Sequence, residues 1–95
     1  MHVISRKVLR RFWNRRPASR AALARWFKIM DRTNFASFEE LRKAFPSADL
    51  VGNLVVFNIG GNKYRLIASI HFNRRKVYVR HVLTHREDDR GNWKK

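Results

Sequence analysis

The sequence predicts a single α+β domain in which helices pack on one face of a curved, mainly antiparallel sheet. In the first half of the chain, apolar residues recur at helical spacing, and in the second half they alternate with polar residues between turn signals. A length of 95 residues favours one hydrophobic core over two. The expected order is a short strand, two or three helices and three antiparallel strands, with one sheet face open.

The first half of the chain contains the helical signals. His2–Ile4 is short and β-prone, and Ser5 is a suitable N-cap for the helix after it. Apolar residues on one stripe of this first helix are Val8, Leu9, Phe12 and Trp13. Pro17 suits a first helical turn, so we expect a second helix over 18–30, with apolar positions Leu23, Trp26, Phe27 and Met30.

A third, shorter helix is predicted before the pattern changes to strands. Ser37 and Glu40 have capping-box spacing, and Pro46 ends the helix. Strands are then expected over 54–59, 63–72 and 76–84, with Gly60-Gly61-Asn62 as a hairpin turn. We interpret residues 86–95 as a loose tail of the same domain, which spans 1–95.

Alternation along the strands predicts which residues face the open side of the sheet. In the middle strand the helix-facing set is Tyr64, Leu66, Ala68 and Ile70, and the open-face set is Lys63, Arg65, Ile67, Ser69 and His71. In the last strand the same rule turns Val77, Val79, His81 and Leu83 inward, and Tyr78, Arg80, Val82 and Thr84 outward. His81 is therefore expected to be a core histidine.

The charge indicates a polyanionic partner. Lys and Arg number 22 against 7 Asp and Glu, a formal net charge of +15. Repulsion among so many positive charges works against the compact folded state. Binding to RNA offsets this, because each cation that meets a phosphate releases a counterion condensed on the RNA. We therefore expect RNA binding. An inert basic surface and an anionic membrane are the weaker alternatives. The cations predicted to form a docking surface for RNA lie on the first two helices: Arg6, Lys7, Arg10, Arg11, Arg15, Arg16, Arg20 and Arg25.

Several kinds of site are excluded by composition. There is no cysteine, hence neither a disulfide nor a thiolate metal site, and the four histidines have no metal-ligand spacing. We therefore expect no metal and no cofactor. No apolar run approaches the roughly 20 residues of a transmembrane helix, and the N-terminal segment is charged where a signal peptide is apolar. We expect a cytoplasmic protein that does not bind membranes.

Four residues at the open face are the candidates for catalysis. Arg65 and Arg80 can neutralise a scissile phosphate, and His85 can act as acid or base because imidazole exchanges protons near neutral pH. Lys63 can position the substrate or share in proton transfer. Tyr78 and His71 add rings of the kind on which single-stranded RNA stacks.

The strand motifs resemble the HigB family of type II toxin–antitoxin toxins, a group of RelE/ParE-like messenger RNA interferases. The resemblance rests on Val56-Phe57-Asn58-Ile59-Gly60-Gly61-Asn62-Lys63-Tyr64-Arg65-Leu66, then Val79-Arg80 and Thr84-His85-Arg86-Glu87. It extends over about residues 1–89 and includes His2-Val3-Ile4-Ser5 and Phe45-Pro46-Ser47-Ala48. It implies a RelE-like β-α-α-(α)-β-β-β fold.

The resemblance also implies an activity and partners. These are metal-independent cleavage of messenger RNA on the translating ribosome, and inhibition by a HigA-type helix-turn-helix antitoxin, with a heterotetramer as one arrangement. The family commonly has T-H-x-E-Y-D where this chain has Thr84-His85-Arg86-Glu87-Asp88-Asp89, so the tyrosine is replaced by Asp88. The competing interpretation is a non-catalytic, ribosome-associated RNA-binding module; a DNA-binding repressor subunit lacks support from any recognition-helix pattern.

Overall fold

The computed structural model describes residues 1–61 and 63–86. Its elements follow in chain order: β1 (His2–Ile4), α1 (Arg6–Arg15), α2 (Arg20–Arg32), α3 (Phe38–Ala44), β2 (Asp49–Val51), β3 (Leu54–Ile59), β4 (Tyr64–His71) and β5 (Lys76–Thr84). The helices and the three long strands confirm the predicted α+β, RelE-like order. The predicted tail from residue 87 onward and Asn62 of the hairpin turn lie outside the described residues.

The helix boundaries follow the local signals that predicted them. The Ser5 hydroxyl accepts a hydrogen bond from the Lys7 amide at the start of α1, and the Ser37 hydroxyl accepts one from the Glu40 amide in α3. The second helix differs in its start, since Pro17–Ser19 forms a separate 3₁₀ turn and α2 begins at Arg20. Proline thus fixes a tight turn before the helix.

The five strands form one mixed sheet in the order β1-β5-β4-β3-β2. The first strand lies parallel to β5, with Val3 opposite Val77, and all other neighbours are antiparallel. The short strand β2 was not predicted. It pairs with only the first half of β3, from Leu54 to Val56.

The core lies between the helices and one face of this sheet. Its fully buried side chains include Leu9 of α1, Leu23 of α2 and Leu66 of β4. Trp26 and Phe57 meet edge to face with ring centroids 5.4 Å apart, which fixes α2 over β3. Such an aromatic pair adds about 0.5–1.5 kcal/mol beyond its buried area.

A β-bulge in β5 corrects one part of the strand prediction. Ile67 pairs with His81 but Ala68 pairs with Val79, so Arg80 is an extra residue in β5. The extra residue reverses the alternation beyond it. His81 is therefore exposed on the open face and Val82 is buried against the core, the opposite of what simple alternation predicts.

Candidate active site

An arginine and a histidine meet where β4 begins and β5 ends. Arg65 lies on the open face of β4, half-buried, as the alternation predicts. One of its guanidinium nitrogens, Nη2, is 3.1 Å from Nε2 of His85, the residue directly after β5. Twenty residues separate the two in the chain, so this contact depends on the β4–β5 register. We call Arg65 and His85 the arginine–histidine pair.

The backbone holds His85 in place beside β4. Its amide donates a hydrogen bond to the carbonyl of Lys63, with a nitrogen–oxygen distance of 3.2 Å. This bond continues the ladder between β4 and β5 beyond the pairing of Tyr64 with Thr84. Lys63 is exposed, and its backbone places it beside the arginine–histidine pair. Three of the four predicted catalytic residues are thus brought to one end of the sheet.

The chemistry of the guanidinium group gives the Arg65–His85 contact a direction. A guanidinium group carries only donors, so Nε2 must accept the hydrogen bond. An imidazole nitrogen that accepts a hydrogen bond at the open face is suited to accept a proton from a substrate hydroxyl once the guanidinium group has turned to another acceptor.

Asn58 belongs to the same site, although it was not among the predicted site residues. It lies directly opposite Arg65 in the β3–β4 hairpin, and so on the same face of the sheet. Its Oδ1 atom is buried and has no hydrogen-bond partner in the described part of the chain. The observed pairing of Ile59 with Tyr64 places Asn58 opposite Arg65, whereas the predicted three-residue turn Gly60-Gly61-Asn62 would have placed it opposite Tyr64.

Arg80, the fourth predicted catalytic residue, lies apart from the arginine–histidine pair. Leu83 is the residue of β5 opposite Arg65, and Arg80 is three positions earlier, roughly 10 Å along a strand. Its guanidinium carbon instead lies 5.8 Å from the ring centroid of Tyr78. Tyr78 in turn contacts His71 edge to face, with centroids 5.3 Å apart. We call His71, Tyr78 and Arg80 the Tyr78 cluster.

The open face therefore has two parts. The arginine–histidine pair occupies one end, and the Tyr78 cluster extends from the bulge toward the other end. The cluster unites a cation with two rings, which suits stacking of unpaired bases. The predicted catalytic residues and the two predicted RNA-binding rings thus fall into two groups on the same face of the sheet.

The helix cations lie on the opposite layer of the molecule. All eight of the predicted residues are exposed: Arg6, Lys7, Arg10, Arg11, Arg15, Arg16, Arg20 and Arg25. Some of these guanidinium groups lie over aromatic rings, with Arg6 4.7 Å from the Phe27 ring and Arg20 5.9 Å from the Trp13 ring. Such contacts fix the direction of the charge without removing it from water.

The described residues contain neither a candidate metal site nor a membrane-spanning helix. Within residues 1–61 and 63–86, no three His, Asp or Glu side chains are grouped so that they could hold a metal ion. None of the described helices is long and apolar enough to cross a membrane. Asp88, which stands where the family commonly has tyrosine, lies outside the described residues.

Comparisons with known proteins agree with this architecture. A family model for the HigB toxin, described as the RelE-like toxic component of a toxin–antitoxin system, matches residues 19–91. The mRNA interferase toxin HigB of Escherichia coli K12 is 35% identical over 92 residues, which cover 94% of this chain and 88% of that protein. The mRNA interferase HigB of Escherichia coli O6:H1 strain CFT073 is 32% identical over 93 residues, covering 95% and 90%.

Proposed function

The chain belongs to the HigB family of RelE-like toxins, and from this premise we propose that it is an endoribonuclease that cleaves messenger RNA. The observation that carries the proposal is the contact between Arg65 Nη2 and His85 Nε2 on the open face. It combines a fixed positive charge with an imidazole nitrogen that can accept a proton, two groups that support RNA cleavage without a metal. The relatives named mRNA interferase support the same substrate.

The proposed reaction uses the 2′-hydroxyl of the substrate as nucleophile. As the 2′-oxygen attacks phosphorus, Nε2 of His85 takes the hydroxyl proton. The bond from phosphorus to the 5′-oxygen breaks, which leaves a 2′,3′-cyclic phosphate and a 5′-hydroxyl whose proton comes from the Lys63 ammonium. An arriving phosphate competes for the Arg65 guanidinium and so exposes Nε2, while Arg65 neutralises the charge of the phosphorane.

The two layers of the molecule have different proposed partners. The open face receives the messenger, and the helix cations contact ribosomal RNA, so that cleavage takes place on the translating ribosome and in the cytoplasm. The exposure of those eight cations on the layer opposite Arg65 supports this division. A HigA-type helix-turn-helix antitoxin neutralises the toxin in the proposed system, with a heterotetramer as the proposed form of the complex. No metal or other cofactor enters this mechanism.

The experiment that tests the proposed function is mapping of messenger 5′ ends in cells after brief induction of the protein. We expect new 5′-hydroxyl ends inside translated frames, and none after induction of Arg65→Ala. Cuts confined to untranslated RNA would contradict a ribosome-bound activity. Growth arrest by the wild-type chain without any new ends would favour the non-catalytic RNA-binding module instead.

A further inference from the structure

The second half of β3 has a free edge. Its neighbour β2 pairs with Leu54, Val55 and Val56 and with no later residue. In the described part of the chain no strand lies beside Phe57–Ile59 on that side. Because backbone N–H and C=O groups of successive residues point to alternate sides of a strand, part of this segment presents its hydrogen-bonding groups at the edge.

A groove runs along this edge. Its volume is about 470 Å³, and it is bounded by α2, the end of α3, and the segment from Asn58 to Gly61. Small side chains, Ala21 and Ala22, form part of the α2 wall, so backbone atoms of an added chain can approach closely. Most of the groove is formed by the helices, on the side of the sheet away from the arginine–histidine pair, and Asn58, opposite Arg65 on β4, is the residue that adjoins both.

The polar groups of the groove indicate what kind of ligand it accepts. Trp26 lines it, and the indole Nε1–H of this residue is buried without a hydrogen-bond acceptor in the described residues. A buried donor without a partner is costly, so an acceptor supplied from outside is favourable. Among the described residues that line the groove, Arg25 is the single charged one and none is acidic.

We propose that this groove is the docking site for an extended, acidic segment of a partner protein, which adds to the free edge of β3 as a further strand. Backbone hydrogen bonds along Phe57–Ile59 would supply affinity, and an acidic side chain would pair with Arg25. The partner is the antitoxin, an assignment that rests on the proposed function. A strand edge pairs with peptide backbone, which nucleic acid lacks, so the free edge favours a protein over RNA.

The test uses an end-blocked hexapeptide in which glutamate alternates with valine, and a lysine–valine peptide as its counterpart. Hydrogen exchange of the intact protein, measured by NMR, should slow at the amides of the β3 edge when the glutamate peptide is added. Ala21→Trp, which fills the groove, should weaken binding of this peptide by about tenfold. Ala24→Trp is the matched control, since Ala24 lies on the other side of α2 in the groove shared with α1, and should retain binding.

A second test reverses the charge of Arg25 and does not depend on filling the groove. Arg25→Glu should weaken the glutamate peptide by about tenfold. Arg32→Glu makes the same change of net charge on the same helix but away from this groove, and should have a smaller effect. Equal losses in the two variants would show that the peptide responds to overall charge, and would overturn the proposal.

Three other outcomes would overturn it. These are unchanged exchange at Phe57–Ile59 at about millimolar peptide, equal binding of the lysine peptide, and protection of the segment by an oligoribonucleotide instead of the peptide. Messenger cleavage is measured separately on Ala21→Trp, which leaves the open face intact and should cut normally. A protein that binds the peptide but cuts no messenger would contradict the proposed function alone, and the reverse result would contradict only the docking site.

Discussion

The open face of the sheet and the outer face of the helices are both cationic, but they hold their charge differently. Arg65 is half-buried and hydrogen-bonded to His85 at 3.1 Å, whereas Arg6 and Arg20 lie exposed over aromatic rings. A guanidinium group that is partly removed from water interacts more strongly with a charge that develops beside it. Exposed cations are screened by salt and attract any polyanion.

This difference shows why net charge alone does not identify a catalytic site. The eight exposed helix cations lie where they can attract and orient RNA, and they contribute a large share of the +15 net charge. The proposed chemistry depends on one arginine, whose distinction is a neighbour that can accept a proton. Substitutions in the two regions should therefore differ in kind: one region should control the rate of the chemical step, and the other should control affinity and its salt dependence.

The largest effect is expected at the arginine–histidine pair. Arg65→Ala and His85→Ala should each lower single-turnover cleavage by about 10²–10³-fold, because the first removes charge stabilisation and the second removes the base. The double variant should be little worse than either single one, since residues that act as a unit are not additive. Cleavage of a messenger on programmed ribosomes provides the measurement.

The control for this prediction is an arginine from the other region. Arg32→Ala removes the same side chain from the exposed end of α2, outside the proposed RNA-binding set, and should cut at the wild-type single-turnover rate. Circular dichroism shows whether each variant stays folded. If Arg65→Ala and His85→Ala are both folded and fully toxic, the candidate active site is wrong.

A smaller effect is expected when four helix cations are removed together. The variant replaces Arg10, Arg11, Arg15 and Arg16 with alanine and should bind ribosomes about 10- to 100-fold more weakly at moderate salt, because fewer counterions are released. The plot of log affinity against log salt should become shallower, by up to about 0.7–0.9 for each phosphate that no longer meets a cation. The rate of the bound complex and the cut positions should not change. An unchanged slope would argue that these residues do not meet RNA.

The outward arginine and the bulge on the open face differ in how far local sequence predicts them. Helical spacing and strand alternation predicted the helices and the outward side chain of Arg65, because both depend on local periodicity. The bulge at Arg80 follows from no local pattern. It arises where the register fixed at the β4–β5 turn must change to bring Thr84 opposite Tyr64, so His81 and Val82 exchange the faces that alternation assigns them.

The other differences between the predicted and the observed structure concern residues that are far apart in the sequence. The contact between Arg65 and His85 joins residues twenty positions apart, and only the phase of two strands grouped them in the sequence. The strand β2 has three residues, too few for alternation to predict it. Arg80 was grouped with the catalytic residues because it is an outward arginine, but distance along β5 instead assigns it to the Tyr78 cluster.

The smallest of these effects is expected within the open face itself, at the Tyr78 cluster. Tyr78→Ala should raise KM for cleavage about tenfold and leave kcat nearly unchanged, because stacking of a base on the ring contributes roughly 1–3 kcal/mol and the ring lies apart from the scissile phosphate. Tyr78→Phe keeps the ring, with its contacts to His71 and Arg80, and should restore KM. Steady-state kinetics on the same ribosome complexes distinguish the two. A fall in kcat for Tyr78→Phe would mean that the hydroxyl takes part in proton transfer, and would extend the catalytic site across the open face.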